Sequence, residues 1–396
     1  MEDPTPNPAP QDPSGNPAFE SSTEWLRGVG PSTDVVLSSR VRLARNIASI
    51  PFASKASRKD REKSLFLCRD AILGSSLGGA AGPQGAGTQI VFLNLHQTPG
   101  LDRSLLVERH LISKQHSKGR PTNQPAGPAP ILGGAVGQTP ADDPRGIALS
   151  LPDERLAIMV NEEDHLRIQT IRSGLALAQA WNEIDAIDDK LESRLDYAFS
   201  PRFGYLTACP TNVGTGLRMS AMLHLPGLRL TGEIEKVKRA CQDMSLAVRG
   251  FYGEGSEAIG DLYQISNQTT FGRSELQVLQ ALENDIIPRV IEYERLSRRE
   301  LISKRRIGLE DQVFRAAGLL ANARLLATEE AMGALSLLRL GVVMNLVNGL
   351  DQRQVNQLIL LAQPAHLQRA VGKELDQEQR RVARASLMRS RLSAVS

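Results

Sequence analysis

The chain changes character near residue 273, and that break constrains its fold more than any other feature. Before it, Gly and Pro recur and apolar runs are short. After it they thin out, and long amphipathic helical patterns follow one another. ELQVLQALENDIIPRVIEYERLSRRELI is the first; FRAAGLLANARLL, EEAMGALSLLRLGVVMNLV, QVNQLILLA and QEQRRVARASLMRSRL succeed it. A helical domain over residues 274–396 is therefore expected. The earlier part is mixed. VVLSSRVRL alternates over part of its length and predicts a strand. ALSLPDERLAIMV predicts two short strands around a turn at Pro152 and Asp153. Between Gly174 and Leu195, apolar residues including Leu177, Trp181, Ile184 and Leu191 recur at helical spacing. This gives an α+β domain over residues 22–273, with residues 1–21 expected as a disordered tail rich in Pro, Asn and Ser. Stretches at about 75–87 and 115–145, rich in Gly, Pro and polar residues, read as inserted loops.

Bulk properties exclude several classes. The net charge of +3, from 47 basic and 44 acidic residues, does not mark a nucleic-acid binder. No run of about 18 apolar residues predicts a membrane span. The polar, Pro-rich start lacks the basic and apolar regions of a signal peptide. Cys68, Cys209 and Cys241 are too widely spaced for a disulfide framework or a zinc site. A cytoplasmic protein with no metal-ligand set of its own is expected.

Four clusters have chemical potential. In Ser38-Ser39-Arg40-Val41-Arg42, the two arginines lie two apart on a strand and share a side. Paired guanidinium forks suit a polyphosphate, although an exposed strand edge has the same look. Asn161-Glu162-Glu163-Asp164-His165-Leu166-Arg167 puts three acids in a row, which need nearby cations, a metal or water. A carboxylate there can hold a guanidinium and take its proton; a plain acidic turn is the alternative. Cys209-Pro210-Thr211-Asn212-Val213-Gly214-Thr215-Gly216 sets a thiol at a turn with free backbone N–H groups, where thiolate is favoured. A buried, inert cysteine is the alternative. Arg249-Gly250-Phe251-Tyr252-Gly253-Glu254 reads as a mobile loop bearing a cation and a carboxylate, or as a plain surface loop.

Taken in order, SSRVRLARNI, ERHLIS, VNEEDHLRIQ, GYLTACPTNVGTGLR, HLP and RGFYGEGSEAIGDLYQISNQTTFG resemble the phosphagen kinase family, and most closely its bacterial protein-arginine kinases. The resemblance covers roughly residues 24–396, apart from the inserted loops. It implies a mostly antiparallel sheet flanked by helices, like that of glutamine synthetase. It implies ATP bound by Ser39, Arg40, Arg42, Arg167, Arg218 and Arg249, with His110 beside the adenine. It further implies Glu163 as guanidinium ligand and base, Glu254 as a second guanidinium carboxylate, and Cys209 as the reactive thiol. Magnesium is expected on the phosphates and water.

The physics suits these roles. A guanidinium is a poor nucleophile until it loses a proton, and carboxylates with a thiolate can orient it and accept that proton. Phosphoryl transfer otherwise needs alignment and charge neutralisation. No Walker A pattern occurs, so ATP binding rests on arginines.

Only 37 residues precede Ser38, which leaves no room for the lid domain of small-molecule phosphagen kinases. The expected substrate is thus arginine in proteins. A free-arginine kinase and a non-catalytic ATP-binding adaptor remain the alternatives. By resemblance, partners are arginine-bearing proteins, a Clp-type protease pathway and a second copy joined through the helical domain, with no membrane or nucleic acid. One departure stands out. The Arg-Asp-x-x-Arg-Ala motif of the bacterial relatives, which reads phosphoarginine, corresponds to Arg380-Arg381-Val382-Ala383-Arg384-Ala385, with Arg381 at the acid's position. That segment is either an anion contact or a solvated helix face.

Overall fold

The computed structural model describes residues 23–53, 55–78, 88–119, 143–251 and 258–392. The tail at residues 1–21 and most of both expected loops lie outside them.

Among the described residues ten strands form: β1 (Val36–Arg45), β2 (Gln89–Asn94), β3 (Gly146–Leu151), β4 (Leu156–Val160), β5 (Leu166–Ser173), β6 (Phe199–Ser200), β7 (Gly204–Tyr205), β8 (Leu217–His224), β9 (Leu246–Arg249) and β10 (Leu262–Asn267). Eight make one sheet in the order β2-β3-β4-β5-β1-β8-β10-β9, and every pairing is antiparallel. The other two, β6 and β7, form a separate hairpin. β3 and β4 flank the turn at Pro152 and Asp153, as their sequence predicts.

Helices α1 (Arg58–Gly74), α2 (Gly100–Glu108), α3 (Lys114–Lys118), α4 (Leu177–Glu192), α5 (Pro226–Leu230) and α6 (Ile234–Asp243) punctuate the strands. α7 (Glu275–Gln280), α8 (Ile287–Asn322), α9 (Thr328–Val343), α10 (Gln352–Leu361), α11 (Pro364–Val371) and α12 (Gln377–Leu392) follow. Ser274 caps α7, and its partner Gln277 completes a capping box. The loop expected from residue 115 in fact starts inside α3, whose first turn Ser113 caps. Its polar composition hides the helix because only His116 is buried.

Strand alternation divides the sheet into two faces. One face carries Val41, Leu43, Ile168, Met219, Ala221 and Ile265. It is covered by Leu177, Ala180, Trp181, Ile184 and Leu191 of α4, whose spacing makes one helical stripe, and by Cys68, Ala71 and Ile72 of α1. Val290 and Ile291 of α8 join the same core. The other face is covered at one end by α2, through Leu105 and Leu106 on Ile147, Leu149 and Met159. Elsewhere on that face Trp25, Ile171, Met222 and Phe251 share a core with Leu309, Leu335, Leu338, Leu358 and Met388 from the helical segment. The helices therefore grip both faces.

A buried polar network fastens them. Arg339 of α9 is fully buried and donates to Asn356 Oδ1 (3.0 Å), His224 Nδ1 (2.8 Å), Thr33 O (2.7 Å) and Asp34 O (3.2 Å). His224 Nδ1 accepts from Arg339, so its Nε2 carries the hydrogen and donates to Ser336 Oγ at 2.9 Å. Ser336 in turn donates to Asp261 Oδ2 at 2.6 Å. Removing one member of such a charged buried set typically costs about 3–5 kcal/mol.

Candidate functional site

Strand register collects the arginines. Arg40 and Arg42 share a face of β1 because they are two residues apart. Arg218 of β8 lies opposite Arg42, and Arg167 of β5 lies opposite Ala44, the next residue on that face. Arg249 of β9 lies opposite Gln264, which pairs with Met222, on the face of Arg218. Five arginines from four strands thus occupy one side of the sheet, all of them half-buried. Arg40 donates to Gln264 Oε1 at 2.9 Å. Arg42 keeps Nε and Nη2 buried without a hydrogen-bond partner. Burial, reinforced by Arg167, Arg218 and Arg249, lowers the Arg40 pKa to about 9. Arg42 is pushed well below its ordinary range by burial and then by Arg40 and the other three. Such a concentration of like charge is costly unless an anion enters it.

Ser39 does not join this face. It points to the α4 side, where its Oγ donates to Gly174 O (2.8 Å) and accepts from Ala176 N–H (2.9 Å). Its place next to Arg40 in sequence is undone by the two-residue period of the strand, which turns neighbours to opposite faces.

His110 sits at the edge of the arginine face, after α2, with φ +62°. Burial, then the charge of Arg40, lowers its pKa to about 3, so it is neutral. Its ring meets Phe251 edge-on at 4.7 Å and Trp25 at 5.3 Å. Gln169 holds its carbonyl at 2.8 Å. Trp25 and Phe251 were not picked out by sequence as site residues, although Trp25 is one of only two tryptophans. These rings, with Arg40, Gln264 and Met222, line a pocket with room for about 20 Å³.

The acidic turn divides its labour. Glu162 is buried, accepting from Ser113 Oγ (2.5 Å) and Arg167 Nη1 (2.7 Å). Burial alone would raise its pKa, but Arg167, then Ser113 and His116, hold it down to about 2. Glu163 is exposed. Asp164 is buried and accepts from Asn46 Nδ2 and from Ala208 N–H, both at 2.7 Å. His165 Nδ1 accepts Ile47 N–H at 3.1 Å, so Nε2–H donates to Pro51 O at 3.1 Å. Asp164 therefore ties the acidic turn to the cysteine loop: Glu163 precedes Asp164, and Cys209 follows Ala208.

Cys209 is half-buried at the start of a short helical turn, Pro210–Asn212, with Sγ 3.0 Å from Thr211 Oγ1. Thr270 Oγ1 fastens the loop by donating to Thr211 O (3.1 Å) and Val213 O (2.7 Å). Glu254 lies outside the described residues. In the C-terminal segment, Arg384 is buried and donates to Ala362 O (2.7 Å) and Leu326 O (2.8 Å), whereas Arg381 is exposed. Part of that arginine run is thus a helix clamp rather than a solvated face. Among the described residues, no group of three or more His, Cys, Asp or Glu forms a metal cage, and no helix is long and apolar enough to cross a membrane.

The five arginines form one cationic face beside an aromatic pocket; Glu162 joins the acidic turn to Arg167, and Asp164 joins that turn to the Cys209 loop. Residues 81–297 match the family model described as ATP:guanido phosphotransferase, C-terminal catalytic domain. Residues 306–396 match that of the protein-arginine kinase McsB C-terminal domain. The protein-arginine kinase of Symbiobacterium thermophilum is 44% identical over 374 residues, covering 94% of this chain and 98% of that protein. That of Halothermothrix orenii is 40% identical over 371 residues, covering 94% and 97%. Among solved structures, the duplicated taurocyamine kinase from Schistosoma mansoni, with bound transition state analog components, superposes with a TM-score of 0.53 at 27% identity. That match covers 67% of this chain and 34% of the duplicated one. Lombricine kinase gives 0.50 at 25% identity, covering 73% and 72%.

Proposed function

We propose a working site for this chain from the premise that it belongs to the ATP:guanido phosphotransferase family, among the protein-arginine kinases. The enzyme transfers a phosphoryl group from ATP to arginine in proteins. The single observation that carries the site assignment is the five-arginine face, whose buried Arg42 nitrogens await acceptors.

In this reading Arg40, Arg42, Arg167, Arg218 and Arg249 hold the phosphates, and neutralise charge as it spreads over the transferring group. Arg167 is aimed by Glu162, a positioning residue. His110, Trp25 and Phe251 receive the base, and their rings part to admit it, since the pocket is nearly filled. Ser39 serves the fold, anchoring β1 to the start of α4. Magnesium would ride on the phosphates held by these arginines, offsetting their charge. Glu163 and Cys209 face the acceptor guanidinium. The exposed carboxylate takes its proton as the N–P bond forms and the bond to the leaving ADP oxygen breaks. Glu254, by its family role, is the second guanidinium carboxylate.

We also propose the coarse division into a catalytic unit over residues 22–273 and a helical unit over 274–396, the latter joining two copies. α8 supports this, since it presents Ile307 (84% exposed) and Phe314 (55% exposed) seven residues apart on one side. A cytoplasmic setting and a Clp-type protease that takes the marked proteins belong to the same reading.

The test incubates the protein with Mg-ATP and casein, in parallel with free arginine. Acid-labile phosphate on casein arginines, mapped by mass spectrometry without acid, is expected. Product on free arginine alone would replace the reading with a small-molecule kinase.

A further inference from the structure

Around the Cys209 loop the surface carries exposed aromatic rings. The chain has only nine phenylalanines, and three of them are exposed here: Phe199 (57%), Phe203 (43%) and Phe271 (59%). Exposed aromatics that cluster, unlike scattered ones, mark contact surfaces.

The backbone locks them to the cysteine loop. Tyr205 and Gly214 exchange hydrogen bonds at 2.8 and 3.3 Å, joining the β6–β7 hairpin to the loop. A Cβ on Gly204 (φ +79°) would lie 2.5 Å from Gly214 O, and one on Gly214 (φ +111°) 3.2 Å from the Phe271 Cα. Both positions need glycine, for conformation and for space. Hairpin, cysteine loop and Phe271 turn are therefore stacked backbone on backbone. From the other side, Cys209 Sγ contacts Thr211, and Thr270, the neighbour of Phe271, donates to Thr211 O at 3.1 Å. Phe199 is braced edge-on against Tyr205 at 5.3 Å, and Arg202 lies over Phe203 at 5.0 Å. The rings are held in place yet remain exposed.

We propose that Phe199, Phe203 and Phe271 form a docking surface for apolar side chains that flank the target arginine in an extended polypeptide. The inference rests on the protein-arginine kinase reading and deepens it, by naming what the substrate carries beside its arginine. A polypeptide whose guanidinium reaches Cys209 must run on across the rim. At roughly 3.4 Å per extended residue, its neighbours two to four positions away fall on the order of 7–14 Å from the arginine. The patch adjoins the cysteine loop through its links to Gly214 and Thr211, so it lies within that reach.

The test uses two peptides with one central arginine, flanked by Leu and Phe in one and by Gly and Ser in the other. Wild type, the triple variant Phe199→Ser/Phe203→Ser/Phe271→Ser and the corresponding triple Leu variant are assayed with Mg-ATP. Wild type is expected to favour the apolar peptide by about tenfold in kcat/KM, mainly through KM. The Ser variant's ratio should fall to near one, and the Leu variant should keep most of the preference. Because each ratio is internal to one preparation, partial misfolding does not mimic the result. A flank-blind wild type, or a Ser variant that keeps its preference, overturns the docking surface alone. A change of oligomeric mass in the Ser variant overturns it too, by making the patch a contact between copies. Failure of wild type to phosphorylate either peptide overturns the underlying kinase reading, and the surface with it.

Discussion

Glu162 is buried between Ser113 and Arg167, whereas Glu163, the next residue, is exposed. In the proposed reading, identical side chains take opposite tasks, one aiming a phosphate-binding arginine and one receiving a proton. Substitution should separate them. Glu163→Ala is expected to abolish transfer while ATP binding, read by calorimetry, stays within about twofold; normal turnover would remove Glu163 from the base role. Glu162→Gln is expected to lower stability instead. Its folded pKa, about 2, lies below the ordinary carboxylate value, so its contribution is complete above pH about 4.5 and lost as pH falls toward 2. The difference corresponds to on the order of 3 kcal/mol. Urea unfolding should therefore show a gap between wild type and Glu162→Gln at pH 7 that closes near pH 2. A gap that did not depend on pH would deny the charge-based origin.

β1 is the element on which the site turns. One side of it belongs to the core, through Val41 and Leu43; the other bears Arg40 and Arg42, which the proposed reading gives to the phosphates. Its register with β5 and β8 recruits Arg167 and Arg218 without any sequence proximity. The free strand carries an electrostatic penalty, because the half-buried Arg42 keeps two buried nitrogens unmatched among like charges. Arg42→Met keeps the length and removes the charge. The expected result is an apoprotein more stable by about 1–3 kcal/mol, of the kind seen when buried charges are replaced by apolar groups. ATP affinity should fall by roughly 10–100-fold with the loss of charge-assisted bonds. Thermal melts with and without ATP read both effects. A destabilised apoprotein with unchanged ATP stabilisation would contradict the strand's role.

At the scale of the whole molecule, the helical segment does more than follow the sheet. Arg339 on α9 reaches Thr33 and Asp34 just before β1 and His224 at the end of β8, so the helices brace the strands that carry Arg40, Arg42 and Arg218. The exposed apolar side of α8 remains to be covered. If a second copy covers it, Ile307→Glu/Phe314→Glu should convert a dimer into a monomer on size exclusion with light scattering. An unchanged mass would move the dimer contact elsewhere.

Several features were legible from residue order alone. The switch to helices near residue 273, the β1 alternation, the α4 stripe and the pair Arg40 and Arg42 all follow from periods of 2 or 3.6 residues, which are local. The motif phrases also pointed to Arg167, Arg218, Arg249, Glu163 and Cys209 by resemblance. Other features were not local. The two-residue period turned Ser39 away from its neighbours, but only Gly174 and Ala176 reveal what it does there. Trp25 and Phe251 meet at His110 across more than 200 residues of chain. Arg384 reads as a surface charge until Ala362 and Leu326 offer it their carbonyls. The sequence by itself determined which residue types the site contains and the faces of the elements that bear them. Only the tertiary structure decided which of them are buried, paired or exposed, because burial and pairing depend on neighbours brought by sheet register and helix packing rather than on order along the chain.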